Sequence, residues 1–326
     1  NMAVVGGPQS GKSTALRTLI MAAAATHTPE QVQFYCLDFG GGTLASLAHL
    51  PHVGGVSGRM DADGIRRTVA EVAGVLRARE TLFRDLGIES MRDFRQRKAT
   101  LAALPPEQAA QDPLSQDKYG DVFLVIDGWS SIRSDFEILE PALQALVVQG
   151  LSYGVHVVIS ATRWFEIRPA VKDLLGTRIE LRLGDPMDSD VGRKCAELVP
   201  LGRPGRGMTH ERLHLLIALP RLDSSSDIES LPAAVAASVQ AMRDHYGVRQ
   251  APPVRMLPLA VDRDAVVQAA RASGSLSKSR IAIGINEEEL QPVVLDFDAQ
   301  PHLVTFADIE CGKSGLLRNI AAGIME

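Results

Sequence analysis

The amino-acid sequence predicts an α/β fold with a mostly parallel central sheet and helices on both faces. Apolar runs at residues 2–5, 122–126 and 155–160 are typical of parallel strands that are buried on both faces. Between them, residues 63–86 place apolar side chains three and four positions apart, which is the spacing of an amphipathic helix. Strands and helices that alternate over roughly 220 residues predict a doubly wound domain, with its ligand site at the carboxyl ends of the strands.

The other predicted elements follow in chain order. A helix begins near Gly11, a strand covers residues 33–38, and residues 105–118 form a surface loop. Further elements are a helix at 139–151, strands at 178–183, 207–209 and 213–219, a closing helix at 228–245, a helix at 263–272, and strands near 281–285 and 293–295.

Prolines at 252, 253 and 258 indicate a linker between two domains. The sequence therefore predicts a first domain over 1–246, a linker over 247–261, and the N-terminal part of a second, truncated domain over 262–326. The second unit stops one helix after its own glycine-lysine loop.

Composition excludes several classes of protein. The 326 residues have 45% apolar and 22% charged side chains, which is typical of a globular protein. A net charge of −5 argues against bulk binding of nucleic acid. The three cysteines are far apart, which argues against a disulfide framework and a zinc site and favours a reducing cytoplasm. The sequence also shows neither a membrane-length apolar stretch nor a signal peptide.

Residues 6–13, GGPQSGKS, match the phosphate-binding pattern G-x-x-x-x-G-K-[ST] between a strand and a helix. Glycines let the backbone amides point into one concavity, the lysine reaches the β and γ phosphates, and the serine hydroxyl binds Mg²⁺. A chance glycine-rich turn is the alternative. The sequence thus predicts a site for ATP and Mg²⁺, with these nucleotide-binding candidates: Gly6, Pro8, Gln9, Ser10, Gly11, Lys12, Ser13 and Thr14.

Asp127 follows the 122–126 strand and is the predicted second Mg²⁺ ligand beside Ser13; the alternative is a strand-end helix cap. Many NTPases place a glutamate next to this aspartate to activate water, but here Gly128 follows. Loss of a general base costs about 10²–10⁴-fold in rate. The residues therefore predict tight ATP binding with slow turnover.

Two further polar residues have open interpretations. Asp38, at the end of the second strand, either contacts nucleotide or Mg²⁺ through water or caps the turn at Gly40 and Gly41. His52 is expected to have a structural role rather than to act as a base.

A second copy of the phosphate-loop pattern lies at residues 307–314. Ala307 replaces its first glycine, and Asp308 and Glu310 bring negative charge close to the predicted phosphate position. We expect this loop to bind nucleotide less readily than the first one.

With both loops, the chain resembles the FtsK/SpoIIIE branch of P-loop ATPases, and more closely the EccC-type motor of type VII (ESX) secretion. The order of the matching segments is more specific than the phosphate loop alone, and it corresponds to the second ATPase module followed by the start of the third. These segments are residues 4–14, 37–56, 66–83, 160–164, 168–194, 204–209 and 309–318.

The resemblance implies a RecA-like fold, packing against neighbouring modules in cis or in a hexamer, and small helical WXG100 substrates. It also implies a cytoplasmic position, attached to the inner membrane through the ESX membrane core. In such motors an arginine from a neighbour completes the nucleotide site, and the candidates are Arg66, Arg67 and Arg163, each of which has a solvated helix face as its alternative.

Three functions remain open at this point. The leading interpretation is a secretion-motor module in which ATP mainly holds domains together. The alternatives are an FtsK-like DNA translocase, which the acidic charge disfavours, and a substrate-recognition module with an apolar groove.

Overall fold

A computed structural model describes residues 1–325 and divides the chain into two compact units, Asn1–Val254 and Arg255–Glu326. Glu326, the last residue of the predicted second domain, lies outside the described residues. The strands are β1 Met2–Val5, β2 Val32–Asp38, β3 Val53–Gly58, β4 Asp121–Asp127, β5 Val155–Ala161, β6 Thr177–Leu181, β7 Arg206–Thr209, β8 His214–Leu216, β9 Arg280–Ile285 and β10 Pro292–Asp296.

Short 3-10 turns connect several of the α-helices. The α-helices are α1 Lys12–Thr26, α2 Ala62–Leu86, α3 Met91–Ala102, α4 Pro106–Ala109, α5 Ser130–Asp135, α6 Glu140–Gln149, α7 Pro169–Lys172, α8 Arg193–Glu197, α9 Leu231–Tyr246, α10 Arg263–Ala272 and α11 Lys313–Met325. Within residues 1–325, no helix combines the length and the apolar character that a membrane crossing requires.

The first unit contains a mixed sheet of eight strands in the order β3-β2-β4-β5-β1-β6-β7-β8. The six strands from β3 to β6 are parallel, whereas β7 and β8 are antiparallel. One apolar core lies between the sheet and helices α2 and α6, and a second lies under α1 and α9 on the other face. The predicted mostly parallel α/β fold is therefore confirmed.

Strand β3 was not predicted because three of the six residues in its sequence, VGGVSG, are glycines, which are rare in strands. Gly54 and Gly55 allow Tyr35 and the segment at residues 252–254 to approach the β3 backbone closely. A Cβ on Gly54 would lie 2.3 Å from Cε1 of Tyr35 and 2.5 Å from the carbonyl oxygen of Pro252, and one on Gly55 would lie 2.9 Å from Val254. The packing of neighbouring residues against β3 thus explains the glycines in its sequence.

Residues 251–254 lie along β3, although they fall inside the sequence-predicted linker at 247–261. The Ala251 amide donates to the Pro51 carbonyl at 2.7 Å, and the Val254 amide donates to the Gly54 carbonyl at 3.1 Å. The Tyr35 hydroxyl donates to the Pro252 carbonyl at 2.7 Å. These bonds attach the segment to the first unit, and the linker boundaries remain a prediction.

Helix α3 was missed, and the predicted surface loop at 105–118 is wrong in part. That segment contains helix α4, and Leu114 is only 2% exposed in a small apolar cluster with Phe83 and Phe94. Because α3 buries only Met91, Phe94 and Leu101, its apolar periodicity is weak.

The second unit contains a β9–β10 hairpin, helix α10 packed on β9, and helix α11. Val266, Ala270 and Ala282 form its small apolar cluster.

Asp121, at the start of β4, anchors helix α3. Arg95 donates to both carboxylate oxygens at 2.7 and 2.8 Å, and the His156 ring lies at 2.9 Å. Burial raises the pKa of Asp121, but the hydrogen bonds from His156 and Arg95 outweigh it and lower the pKa to about 2.

We expect Asp121→Asn to destabilise the protein by about 1–2 kcal/mol at pH 7, because the folded state holds the carboxylate below its ordinary pKa and the pair is partly solvated. This contribution is present above the unfolded pKa of about 4 and is lost as the pH falls towards 2. Urea unfolding at several pH values should show the two proteins converging below about pH 4. Asp93→Asn removes an exposed ion pair with Arg97 on the same helix and should cost only about 0.5 kcal/mol; an equal loss in both variants would contradict the prediction.

Candidate nucleotide-binding site

The phosphate loop joins β1 to α1 at the carboxyl edge of the parallel strands. Gly11, the residue before α1, has φ +101°, and Gln9 has φ +57°. Only glycine adopts the first conformation without strain. The loop therefore curls tightly before Lys12 and Ser13 begin the helix, and the free amides of the helix N-terminus face the same side.

The Lys12 ammonium group lies inside the curl of the loop. It donates to the carbonyl oxygens of Gly6 at 2.7 Å and Gly7 at 2.9 Å. Burial lowers the pKa of Lys12, and the negative charges of Asp127 and Glu166 oppose that shift. Phosphate oxygens can replace the two carbonyls as acceptors, so this lysine is placed for an anionic ligand.

Two segments that lie far from the phosphate loop in the sequence form backbone hydrogen bonds with it. The Gly7 amide donates to the Arg182 carbonyl, and the Gly205 amide donates to the Ser10 carbonyl, each at 2.8 Å. A Cβ on Gly11 would lie 2.9 Å from the Gly205 amide nitrogen. The loop is thus held by backbone contacts that no local pattern around residues 6–13 encodes.

Asp127, at the end of β4, is 1% exposed. The Ser160 hydroxyl donates to its Oδ1 and accepts from the Gly128 amide at 2.8 Å, so Ser160 orients the carboxylate. Its Oδ2 is buried and has no hydrogen-bond partner in the described part of the chain, residues 1–325. A buried carboxylate oxygen left without a donor fits a role in holding a cation, directly or through water.

Among residues 1–325 there is no cluster of three or more His, Cys, Asp or Glu side chains suited to a metal. The two predicted ligands, Ser13 and Asp127, would offer a sparse set of hard oxygen donors. Such a set suits Mg²⁺, which usually keeps several waters and binds substrate phosphates. The residues present fit a magnesium-nucleotide site.

Asp38 acts as a cap in the structure. Its Oδ1 accepts from the amides of Gly40 at 3.1 Å and Gly42 at 3.2 Å, and its Oδ2 accepts from the Leu44 amide at 2.7 Å. These three bonds favour the capping alternative over a nucleotide or Mg²⁺ contact.

The three candidate arginines differ in position. Arg67 is 1% exposed and pairs with Glu71 at 3.0 Å, so it cannot reach a neighbouring subunit without breaking a buried ion pair. Arg66 lies on the exposed face of α2 beside Asp63. Arg163 is about half exposed and lies 3.5 Å from Asp188. Arg66 and Arg163 therefore keep the predicted role as proposals, and the structure argues against Arg67.

His52 lies away from this site, in the turn before β3. Its Nε2 is 2.8 Å from the His27 carbonyl, and its ring contacts Tyr246 edge-on. Burial lowers the pKa of His52, and the hydrogen bond to His27 opposes that shift. These contacts are those of a structural histidine.

Sequence reasoning missed Ser160 and Glu166 as site residues. Ser160 is paired with Asp127 across β4 and β5, and its signal was a polar residue at the end of an apolar strand. The Thr162 amide donates to Glu166 at 3.1 Å, and the negative charge of Glu166 acts on the pKa of Lys12 in the phosphate loop. Nothing in the spacing of Glu166 marks it.

The second loop, at residues 307–314, has the same local arrangement as the first. Lys313 donates to the carbonyls of Ala307 at 2.6 Å and Asp308 at 2.5 Å, six and five residues before it, as Lys12 does to Gly6 and Gly7. Glu310 has φ +64° and Gly312 has φ +83°, matching Gln9 and Gly11. The replacement of the first glycine by alanine is therefore compatible with the curled backbone.

A strand, a phosphate loop with its lysine, and a carboxylate at the end of a parallel strand define a P-loop ATPase domain. A model of the FtsK/SpoIIIE family matches residues 1–224, and the chain belongs to this family.

The chain is similar in sequence to EccC proteins of ESX secretion systems. The chain is 51% identical to the "ESX secretion system protein EccC" of Thermomonospora curvata over 326 residues, 100% of this chain and 24% of the relative. It is 48% identical to the "ESX-4 secretion system protein EccC4" of Mycobacterium tuberculosis over 325 residues, again 24% of the relative. The chain thus spans about a quarter of the length of these two relatives.

A solved structure has a similar fold. "Thermomonospora curvata EccC (ATPases 2 and 3) in complex with a signal sequence peptide" superposes with a TM-score of 0.90 at 51% identity, covering 100% of this chain and 56% of that one.

We expect Lys12→Ala to weaken ATP binding by about 1.5–3 kcal/mol, because charged hydrogen bonds to the phosphates are lost. Isothermal titration calorimetry of Mg·ATP measures the change. Lys118→Ala removes an exposed lysine and serves as the control; equal affinity in the two variants would sink the assignment of Lys12.

Gly11→Ala should destabilise the first unit by about 1–2 kcal/mol or more, because the left-handed backbone is strained and the new methyl group meets Gly205. Gly74→Ala, in the middle of α2 with open space around it, should instead stabilise by about 0.5–1 kcal/mol. Urea unfolding compares the two substitutions, and a stabilised Gly11 variant would contradict the described loop.

Proposed function

We propose that the chain is an ATP-binding module of a type VII (ESX) secretion motor, which binds Mg·ATP tightly, hydrolyses it weakly, and contributes to assembly and export. One observation carries the proposal. Asp127 is oriented and has an oxygen that accepts no hydrogen bond within residues 1–325, yet the next position, where many hydrolysing NTPases place a glutamate, is Gly128. The site therefore has the groups that hold a nucleotide and lacks the usual group that activates water.

Binding is assigned to the first turn of α1. Lys12 exchanges its two carbonyl acceptors for phosphate oxygens. The backbone amides at the N-terminus of α1 donate hydrogen bonds to the other phosphate oxygens. Ser13 and Asp127 would hold Mg²⁺, with Ser160 keeping the carboxylate in position. The metal, when bound, neutralises phosphate charge.

Nucleotide in this position acts as a structural ligand. The phosphate loop contacts the segments around Arg182 and Gly205, so a ligand that orders the loop also stabilises the C-terminal half of the sheet. At a hundred times the dissociation constant, a ligand that binds only the folded state stabilises it by about 2.7 kcal/mol.

The partners follow from the similarity to EccC. We propose neighbouring ATPase modules, packed in cis or in a hexamer, with Arg66 or Arg163 reaching a neighbour's nucleotide. WXG100-type substrates and the ESX membrane core are the other proposed partners, and the module would lie in the cytoplasm, attached to the inner membrane through the complex. A T. curvata EccC structure described with a signal sequence peptide supports a role in substrate export.

The alternative, an FtsK-like DNA translocase, is not favoured. The relatives named above are secretion proteins, and the net charge of −5 gives no overall attraction for DNA.

We expect protein purified without added nucleotide to retain ATP or ADP, which mass spectrometry of the released ligand identifies. Mg·ATP should raise the melting temperature of the wild-type protein, while phosphate release stays slow. Lys12→Ala should lose most of the stabilisation, and Lys118→Ala should keep it. Rapid hydrolysis that Lys12→Ala abolishes would refute the structural-ligand role.

A further inference from the structure

Phe39 lies against the backbone at the position where a water-activating side chain would project. A Cβ built on Gly128 lies 3.1 Å from Cβ of Phe39, closer than ordinary van der Waals contact. Gly128 also has φ +99°, a backbone conformation that strains other residues. The position after Asp127 therefore lacks a side chain and is crowded at the point where one would begin.

Phe39 is held in this place from both sides. Its amide donates to the Asp127 carbonyl at 2.9 Å, which extends the pairing of β2 and β4 by one bond. Its ring is partly buried against Phe136, with 5.6 Å between ring centroids. Removing the contact with residue 128 thus requires a change in Phe39 itself.

The segment after Phe39 covers the carboxylate of Asp127. A Cβ on Gly40 would lie 2.3 Å from Oδ2 of Asp127, so only a glycine fits there without displacement. Asp38 holds Gly40, Gly42 and Leu44 by their amides, which keeps the segment in place. The same turn therefore crowds the position after Asp127 and packs Gly40 against Oδ2 of Asp127.

We propose that Phe39 is a positioning residue that keeps this site in a binding-only arrangement, because its Cβ crowds the point at which a side chain on residue 128 would begin. This inference rests on the proposed function, since it explains why turnover is slow. It predicts that a glutamate at position 128 cannot by itself restore hydrolysis.

A double-mutant cycle on stability tests the contact without any nucleotide. Gly128→Ala should lower the melting temperature by about 3 °C in the wild-type background and by clearly less in a Phe39→Gly background, where the opposing Cβ is gone. Gly202→Ala is the matched control, because Gly202 has φ +67° and open space around it. Its effect should be the same in both backgrounds. Equal effects of Gly128→Ala in the two backgrounds would overturn the proposal.

A second cycle measures ATP turnover. Gly128→Glu alone should leave kcat near the wild-type value, whereas Gly128→Glu combined with Phe39→Gly should raise kcat at least about tenfold at similar KM. The pair Gly128→Gln with Phe39→Gly has similar bulk but no base and should show no gain. The gain should also increase with pH through the pKa of the new carboxyl group.

The outcomes separate the two levels of inference. Fast hydrolysis by the wild-type protein contradicts the proposed function, and the stability cycle still decides on the Phe39 contact. Slow wild-type hydrolysis with an equal gain from Gly128→Glu in both backgrounds, or with no gain in the double variant, overturns the role of Phe39 and leaves the proposed function standing.

Discussion

The register of four neighbouring parallel strands is the constraint on which the site depends. Asp38 pairs with Asp127 across β2 and β4, Asp127 pairs with Ser160 across β4 and β5, and Val5 pairs with Ala161 across β5 and β1. The carboxyl ends of these strands therefore meet at one edge of the sheet. A shift of one residue in any of them would turn a site residue to the opposite face.

Hydrogen bonds to backbone groups hold the loops in place at this edge of the sheet. The phosphate loop is held by the carbonyl of Arg182 and the amide of Gly205, and the segment over Asp127 is held by the Asp38 carboxylate. At Gly11, Gly40 and Gly128 another residue comes within 2.3 to 3.1 Å of the Cβ position, and Gly11 and Gly128 also have a positive φ. These glycines serve different purposes: a curled loop, a covered carboxylate, and a crowded position beside it.

The surroundings of Asp127 bear on both the proposed binding of Mg·ATP and its proposed slow hydrolysis. Ser160 donates to one oxygen of Asp127, and the other is buried beside Gly40 and accepts no hydrogen bond within residues 1–325. Cβ of Phe39 lies 3.1 Å from the Cβ position of residue 128, which crowds the point at which a second carboxylate side chain would begin. The proposed role of a site that binds Mg·ATP and hydrolyses it slowly rests on this combination of a phosphate-loop lysine and a crowded position beside Asp127.

The sequence by itself determined the phosphate loop, Asp127 at a strand end, and the mostly parallel α/β fold, because each has a local signature of apolar runs, glycines and spacing. Tertiary structure decided the rest. A glycine of strand β3 packs against Tyr35, and Arg67 forms a buried ion pair with Glu71. The Asp38 carboxylate accepts hydrogen bonds from the backbone of the turn that follows it. Phe39 meets Gly128 only because β2 and β4 are neighbours in the sheet. Contacts between residues that are far apart in the chain have no local pattern, so only the folded arrangement could reveal them.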